Sequence, residues 1–274
     1  MHKDIYHMKN KIGLVISTLN DGIFNLRNTI PVGADEIIIV HQVTNENLIV
    51  YESIYSDFKN RNIQIIQLKE KGLSLSRNTG LTAAKSDYIL ICDDDGKFEP
   101  NLFEILENAI LKFPEADIYS FKTKTPDGSP YKKYQDEPYH HTKRSTAKVS
   151  SIEILIKRSW LINSKLKFDP RFGLGSNFPT GEEFIFLTDA IQQDAKIIYI
   201  PEYIVTHPAQ SSGKHFTDTL IKSKGALFAR TYGWKYPFVD FIFALKKLDH
   251  YKKEVSFFKF LKLIFAGSKE FRKL

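Results

Sequence analysis

The strongest constraint on the fold is an alternation running through the first hundred residues. Short β-branched apolar runs that end in polar residues take turns with segments of helical spacing. The runs 11–18 (KIGLVIST) and 36–40 (EIIIV) read as buried strands, and 62–68 and 88–92 continue the series. The apolar cores of the first two fit strands covered on both faces. Between and after them, 23–30, 46–59, 75–85 and 100–113 read as helices, the second through Leu48, Ile49, Ile54, Tyr55 and Phe58. Such βαβ punctuation predicts an α/β fold, a Rossmann-like, mainly parallel sheet flanked by helices, whose ligands gather at the carboxyl ends of the strands. Asp93, Asp94 and Asp95 fall at one such end.

Beyond Asp117 the pattern changes. Residues 125–148, rich in Pro, Gly, Tyr, His, Lys and Asp, read as a mobile loop. Then 151–158 reads as a strand, 182–193 as a helix entered through Thr180 and Gly181, and 196–205 as a strand carrying Pro201. With 42% hydrophobic residues, the 274-residue chain can bury a main core without disulfides. Its one cysteine, Cys92, lies inside an apolar run, so a reducing, cytoplasmic setting is expected. The stretch holding His2, Lys3, Asp4 and His7 lacks the apolar segment of a signal peptide, and no run approaches bilayer-spanning length.

Three consecutive aspartates repel one another unless a cation, solvent or hydrogen-bond donors compensate. Hard carboxylate oxygens favour magnesium, manganese or calcium over zinc, and a solvated acidic turn or helix cap would serve the same residues. The segment 72–100, GLSLSRNTGLTAAKSDYILICDDDGKFEP, resembles the central segment of family 2 glycosyltransferases with the GT-A fold. The matching positions are Gly72, Arg77, Asn78, Gly80, Ala83, Ala84, Asp93, Asp95 and Pro100. The resemblance implies that Asp95 ligates a divalent cation, Mn2+ or Mg2+, bridging the diphosphate of a sugar donor. Asp93 would then lie near the nucleotide, with Asp94 auxiliary. Arg77 and Asn78, near a helix start, would face the nucleotide or phosphate; a surface ion pair and a cap are their ordinary alternatives.

Ser17, Thr18, Leu19 and Asn20 resemble the family's base-binding segment, while His41 and Gln42 stand where an acidic base contact is frequent. Gly173, Leu174 and Gly175, then Gly181, Glu182 and Glu183, resemble its acceptor-side Glu-Asp motif. Glu183 takes the position of the general base, with Glu182 able to stand in its stead; both also suit the acidic first turn of a helix. His207, before Pro208, Ser211 and Ser212, holds the place of a histidine near the metal or diphosphate, and is otherwise an ordinary polar residue.

The resemblance implies an inverting, metal-dependent transferase of the bacterial surface-polysaccharide type. It would move a sugar from a nucleoside diphosphate sugar to a hydroxyl of a glycan or lipid-linked acceptor. Two units are expected, 1–215 as the nucleotide-sugar-binding and catalytic domain and 216–274 as a basic, amphipathic helical extension. The net charge of +7 suits phosphorylated ligands or an anionic membrane, and the extension would either settle at the inner face of the cell membrane or pack on the domain. No nucleic-acid-binding motif is present. Two other readings stand beside this one. Cys92 to Gly96 also resembles the nucleophile motif of haloacid-dehalogenase-like phosphohydrolases, although Lys97 departs from it, and the basic tail could belong to a non-catalytic polyanion-binding module.

Overall fold

The computed structural model describes residues 10–44, 48–208 and 216–274, so expectations resting on His2, Lys3, Asp4, His7, Glu46, Ser211 and Ser212 lie outside the described residues. The chain runs β1 (Ile12–Leu19), β2 (Glu36–Gln42), α1 (Glu52–Asn60), β3 (Gln64–Leu68), α2 (Leu73–Ala83), β4 (Tyr88–Asp93), β5 (Lys97–Phe98) and α3 (Leu102–Lys112). It continues through β6 (Ile118–Lys124), β7 (Tyr139–His140), β8 (Ile154–Lys157), α4 (Arg158–Ser164), α5 (Glu182–Gln192) and β9 (Ile197–Thr206). Three helices close it, α6 (Asp218–Tyr232), α7 (Tyr236–Tyr251) and α8 (Phe257–Phe271).

One sheet has the order β3-β2-β1-β4-β8-β6-β9-β5, with β7 also on β9. Strands β3, β2, β1 and β4 are parallel, as the βαβ pattern demands. Strands β6 and β9 pair parallel and run in the same direction as these four, and three antiparallel strands join this frame. Strand β8 runs antiparallel between β4 and β6, and β5 and β7 pair antiparallel to β9, so the sheet is mixed. Side chains alternate as a pleat requires: Leu14, Ile16, Ile39, Leu90 and Cys92 enter one core, and Val15, Ile38, Val40, Ile89 and Ile91 the other. Burial on both faces explains why these runs show no polar alternation. Pro201 falls where the β6–β9 register jumps from Ser120 opposite Tyr199 to Lys122 opposite Tyr203, an irregularity that spares it a ladder bond.

Three local readings change. The helix expected at 23–30 is a 3-10 helix, Asn20–Arg27, started by Asn20 in the left-handed region at φ 48°. The segment 46–59 divides into a 3-10 turn, Leu48–Tyr51, and α1, and the strand expected from Ser151 starts only at Ile154, after another 3-10 turn. The segment 125–148 is not a free loop. Glu153 is 1% exposed and holds it: the carboxylate accepts from Thr123 Oγ1 (3.1 Å), Tyr134 OH (2.5 Å) and Lys132 Nζ (2.8 Å), and caps its own turn at Ser150 N (2.9 Å). A buried carboxylate so satisfied fixes the groups around it, which composition alone could not reveal.

The last three helices pack on the sheet domain through Phe172, Phe178, Phe184 and Ile185. Arg230 of α6 pairs with Asp189 of α5 (2.6 Å) and with Asp169 (3.0 Å). Helices α6 and α8 cross at Gly225 and Gly267, where a Cβ would lie 1.9 Å from the carbonyl oxygen of Ile264 or Lys222. The two backbones therefore meet directly. A Gly267→Ala substitution is expected to lower the unfolding free energy by about 1–3 kcal/mol, measured by urea denaturation. An unchanged midpoint would show that the helices do not touch there.

Candidate active site

A cleft of about 890 Å³ opens at the carboxyl ends of the parallel strands. It collects side chains far apart in sequence: Ser17 and Thr18 from β1, Asp93, Asp94 and Asp95 from the end of β4, Arg77 from α2, Glu182 and Glu183 from α5, and His207 after β9. Ser17 and Asp93 are register partners, so adjacent strands deliver the two sides of the acidic edge.

Arg77 organises this set. Gly80, one turn further along α2, lets the helix lie directly on the sheet, where a Cβ would come within 2.3 Å of Val15 and 3.1 Å of Val40. The helix thereby places the Arg77 guanidinium beneath the cleft, 1% exposed. It donates to Asp93 (3.1 Å), Glu182 (2.9 Å) and Ser151 Oγ (2.7 Å). Its Cζ lies 5.6 Å from the ring centre of Phe168, which stacks at 4.3 Å on Phe186 of α5. Burial alone would favour loss of the Arg77 proton; Asp93 and Glu182 outweigh it and hold the guanidinium's pKa above its usual value. Arg77 thus lines the cleft with donors turned toward two carboxylates.

The expectation that Asn78 faces the nucleotide or phosphate is corrected. Its amide donates to the carbonyl of Phe168 and accepts from the Phe168 N–H, both at 2.8 Å, and it does not line the cleft. It clamps the aromatic floor under Arg77. His41 and Asn20 are also outside the cleft lining. His41 is buried between the Tyr55 hydroxyl (2.7 Å) and the carbonyl of Asn20 (2.8 Å). The carbonyl can only accept, so Nε2–H donates to it and Nδ1 of the neutral ring accepts from Tyr55. Burial lowers the imidazole pKa and keeps it in that form. The Asn20 side chain accepts from Thr44 N (2.9 Å), tying the ends of β1 and β2 together.

The three aspartates escape mutual repulsion by taking different partners. Asp93 is held by Arg77, Asp94 accepts from Thr18 Oγ1 (2.5 Å), and Asp95 faces His207 Nε2 at 2.9 Å. The bond from His207 holds the Asp95 carboxyl below its usual pKa, whereas burial pushes Asp94 up. The other nitrogen of His207, Nδ1, lies 2.8 Å from the carbonyl of Pro208, which fixes the ring so that Nε2 points at Asp95. Among the described residues no group of three or more His, Cys, Asp or Glu forms a ready-made metal cluster.

Glu182 and Glu183 begin α5 and diverge in role. Glu182 is tied to Arg77, while Oε2 of Glu183 is buried without a hydrogen-bond partner among the described residues. Burial, and then the neighbouring Glu182 charge, raise the Glu183 pKa to about 8. Lys224 of α6 stands behind the pair with Nζ 3.4 Å from Thr180 Oγ1; burial lowers its pKa against the pull of Glu183 and Glu182. Sequence reasoning missed Lys224, Ser151 and Lys71, which lines the cleft just before Gly72. A lysine in a basic chain and a serine in a turn carry no signal of their own.

Residues 10–168 match the model of Glycosyl transferase family 2. The chain belongs to this family. It is 34% identical over 94 residues to YwdF of Bacillus subtilis (strain 168), named as an uncharacterized glycosyltransferase, covering 32% of this chain and 34% of that protein. It is 25% identical over 233 residues to EpsH of the same organism, likewise named as a glycosyltransferase, covering 81% and 65%. The matches thus span less than two thirds of either relative's length. The fold is similar to that of S. aureus TarS 1-349 in complex with UDP-GlcNAc, with a TM-score of 0.61, 16% identity, and coverage of 89% of this chain and 74% of that one. GalNAc-T7 with UDP, GalNAc and Mn2+ gives a TM-score of 0.59 at 15% identity, covering 97% and 55%. The mixed sheet with flanking helices is thus the GT-A fold expected for family 2, followed by a helical C-terminal region.

Removal of the central cation tests the site's architecture. An Arg77→Met substitution leaves Asp93 and Glu182 without their shared partner and is expected to cost about 3–5 kcal/mol of stability, measured by chemical denaturation. Arg77→Lys, which cannot present two parallel donors, should recover only part of that loss. Equal stability of all three proteins would refute the central role of Arg77.

Proposed function

We propose that this chain is a metal-dependent inverting glycosyltransferase, using a nucleoside diphosphate sugar and a hydroxyl of a glycan or lipid-linked acceptor. The observation that carries the reading is the placement in one cleft of the Asp95–His207 pair and of a weakly acidic Glu183 whose Oε2 has no hydrogen-bond partner among the described residues. Glu183 is the base in this reading, and Glu182, committed to Arg77, holds it in place. The Glu183 carboxylate accepts the proton of the acceptor hydroxyl as that oxygen bonds to the anomeric carbon. The bond from that carbon to the diphosphate oxygen breaks on the opposite face, and configuration inverts.

Asp95 and His207 suit a divalent cation: a hard carboxylate faces an imidazole whose second nitrogen is anchored to a backbone carbonyl. Asp95 and His207 would hold such an ion, and their oxygen and nitrogen donors suit Mg2+ or Mn2+. When bound, such an ion would neutralise charge on the leaving diphosphate. Asp93, Thr18 and Asp94 would border the nucleotide, and Lys71 adds a cation on that side. The phosphohydrolase alternative is disfavoured because Asp93, its nucleophile, is already held by Arg77.

The extension supports a peripheral membrane contact of the kind used in bacterial surface-polysaccharide assembly. No described helix is long and apolar enough to cross a membrane. Yet Trp234 is 81% exposed and Phe238 71%, and Phe241, Ile242 and Leu245 continue the stripe along α7, with exposed Lys235, Lys246 and Lys253 nearby. A stripe of this kind beside lysines suits the inner, anionic face of a cell membrane. The protein is expected to float with phosphatidylglycerol-containing vesicles and not with pure phosphatidylcholine; Phe238→Asp should abolish flotation. Flotation that ignores both lipid charge and this change would refute the contact.

The donor is tested by thermal shift with UDP-, GDP-, CMP- and dTDP-sugars, with and without Mn2+. One donor should stabilise the protein in a metal-dependent way, by about 2.7 kcal/mol at a hundredfold excess over Kd. Asp95→Ala should remove that metal dependence, and its persistence would sink the assignment of Asp95. Glu183→Gln should reduce kcat by about 10²–10⁴-fold with donor binding preserved. Since only ionised Glu183 accepts a proton, kcat/KM should rise with pH and level off above about 8.

A further inference from the structure

A second cavity, about 600 Å³, lies beneath the tethered segment 125–148 and shares no lining residue with the acidic cleft. The two are neighbours with a common wall. Lys132 Nζ bonds Ser150 Oγ and Glu153, both at 2.8 Å, and the chain on either side of this bridge faces both spaces. Tyr131, Ser150 and Ile152 line the cleft, whereas Lys132, Val149 and Glu153 line the cavity.

The cavity's chemistry is specific. Tyr134 and Tyr199 stack in parallel with centroids 6.4 Å apart, and Tyr139 leans on Tyr199 at 4.9 Å. His141 is fixed between Ser120 Oγ (2.8 Å) and Ser145 Oγ (3.0 Å). Against this aromatic wall stand Lys133, Arg144 and Lys148, all exposed and without an ion pair among the described residues. Lys132 is neutralised by Glu153, so Glu137 is the one acidic lining residue left to oppose these three cations. The cavity is therefore net positive, whereas the cleft carries five carboxylates, Asp93, Asp94, Asp95, Glu182 and Glu183.

Aromatic faces carry negative charge density and attract the polarised C–H groups of a pyranose ring, and Arg and Lys grip carboxylates or phosphates through charge-assisted hydrogen bonds. A site with both features recognises a sugar that bears negative charge. We infer that this cavity binds an anionic sugar unit of the acceptor, remote from the reacting hydroxyl. This rests on the transferase reading above and names the acceptor as an acidic glycan. The exposed cations of the cavity attract such a sugar across the wall it shares with the cleft.

The test uses the full chain and NMR-detected titrations with glucose 6-phosphate, glucuronate, glucose and inorganic phosphate. Both charged sugars are expected to bind about tenfold more tightly than glucose, as one charge-assisted contact provides, and glucose 6-phosphate more tightly than inorganic phosphate. The double substitution Arg144→Gln with Lys148→Gln, at exposed positions, should weaken the charged sugars about tenfold, and Tyr139→Ala should weaken both sugar classes. Separate UDP titrations should give the same affinity in all variants, and UDP should not displace the sugars. Absence of a charge preference, unaltered binding in the variants, equal binding of inorganic phosphate and glucose 6-phosphate, or displacement by UDP would each overturn the site. Failure of all four nucleotide-sugar donors to bind the unmodified protein, with charged-sugar binding still lost in the variants, would count against the transferase reading and leave a saccharide site standing.

Discussion

A guanidinium removed from water between two carboxylates is stable only while all three groups stay in register, and much of the cleft is arranged around that condition. Arg77 comes from α2, Asp93 from the end of β4 and Glu182 from the start of α5, so three elements meet at one charge. The supports beneath it have the same purpose. Gly80 sets the depth of α2, Asn78 clamps Phe168, and Phe168 stacks on Phe186 below the guanidinium. Loss of the cation would leave the buried Glu182 and the partly buried Asp93 without their shared partner, which is why the arrangement is costly to break even if it adds little net stability.

The same charge sorts the neighbouring acids. Glu182 spends its charge on Arg77, and its negative field then makes Glu183 reluctant to ionise, so two adjacent glutamates acquire different acidities. At the other end of the cleft, Asp95 is held ionised by His207. One end of the cleft thus keeps its carboxylate ionised, and the other holds a carboxyl with a raised affinity for a proton.

The parallel half of the sheet was legible because burial on both faces writes unbroken apolar runs, and the aspartates were legible because they end one of them. Thr18, Asp93, Asp94, Asp95, Glu182, Glu183 and His207 all reach the cleft. What failed has a common cause. Asn20, His41 and Asn78 are polar residues beside ligand-facing ones, and sequence cannot say whether such a side chain points outward to a ligand or sideways to a backbone group. The segment 125–148 has the composition of a loop, yet a single buried carboxylate, Glu153, some distance along the chain, holds it down. Lys224 was unreadable for a similar reason, since only the packing of α6 brings it beside the glutamates.

The glycine crossing of α6 and α8 has a consequence beyond the three terminal helices. It sets how deeply α6 sits, and α6 carries Leu227, packed against Gly181 at the start of α5, and Lys224, behind Glu183. The terminal helices are therefore not a detachable handle. Exchanging them for those of another family member would replace, along with the surface, both the side chain that seats the start of α5 and the lysine beside its two glutamates.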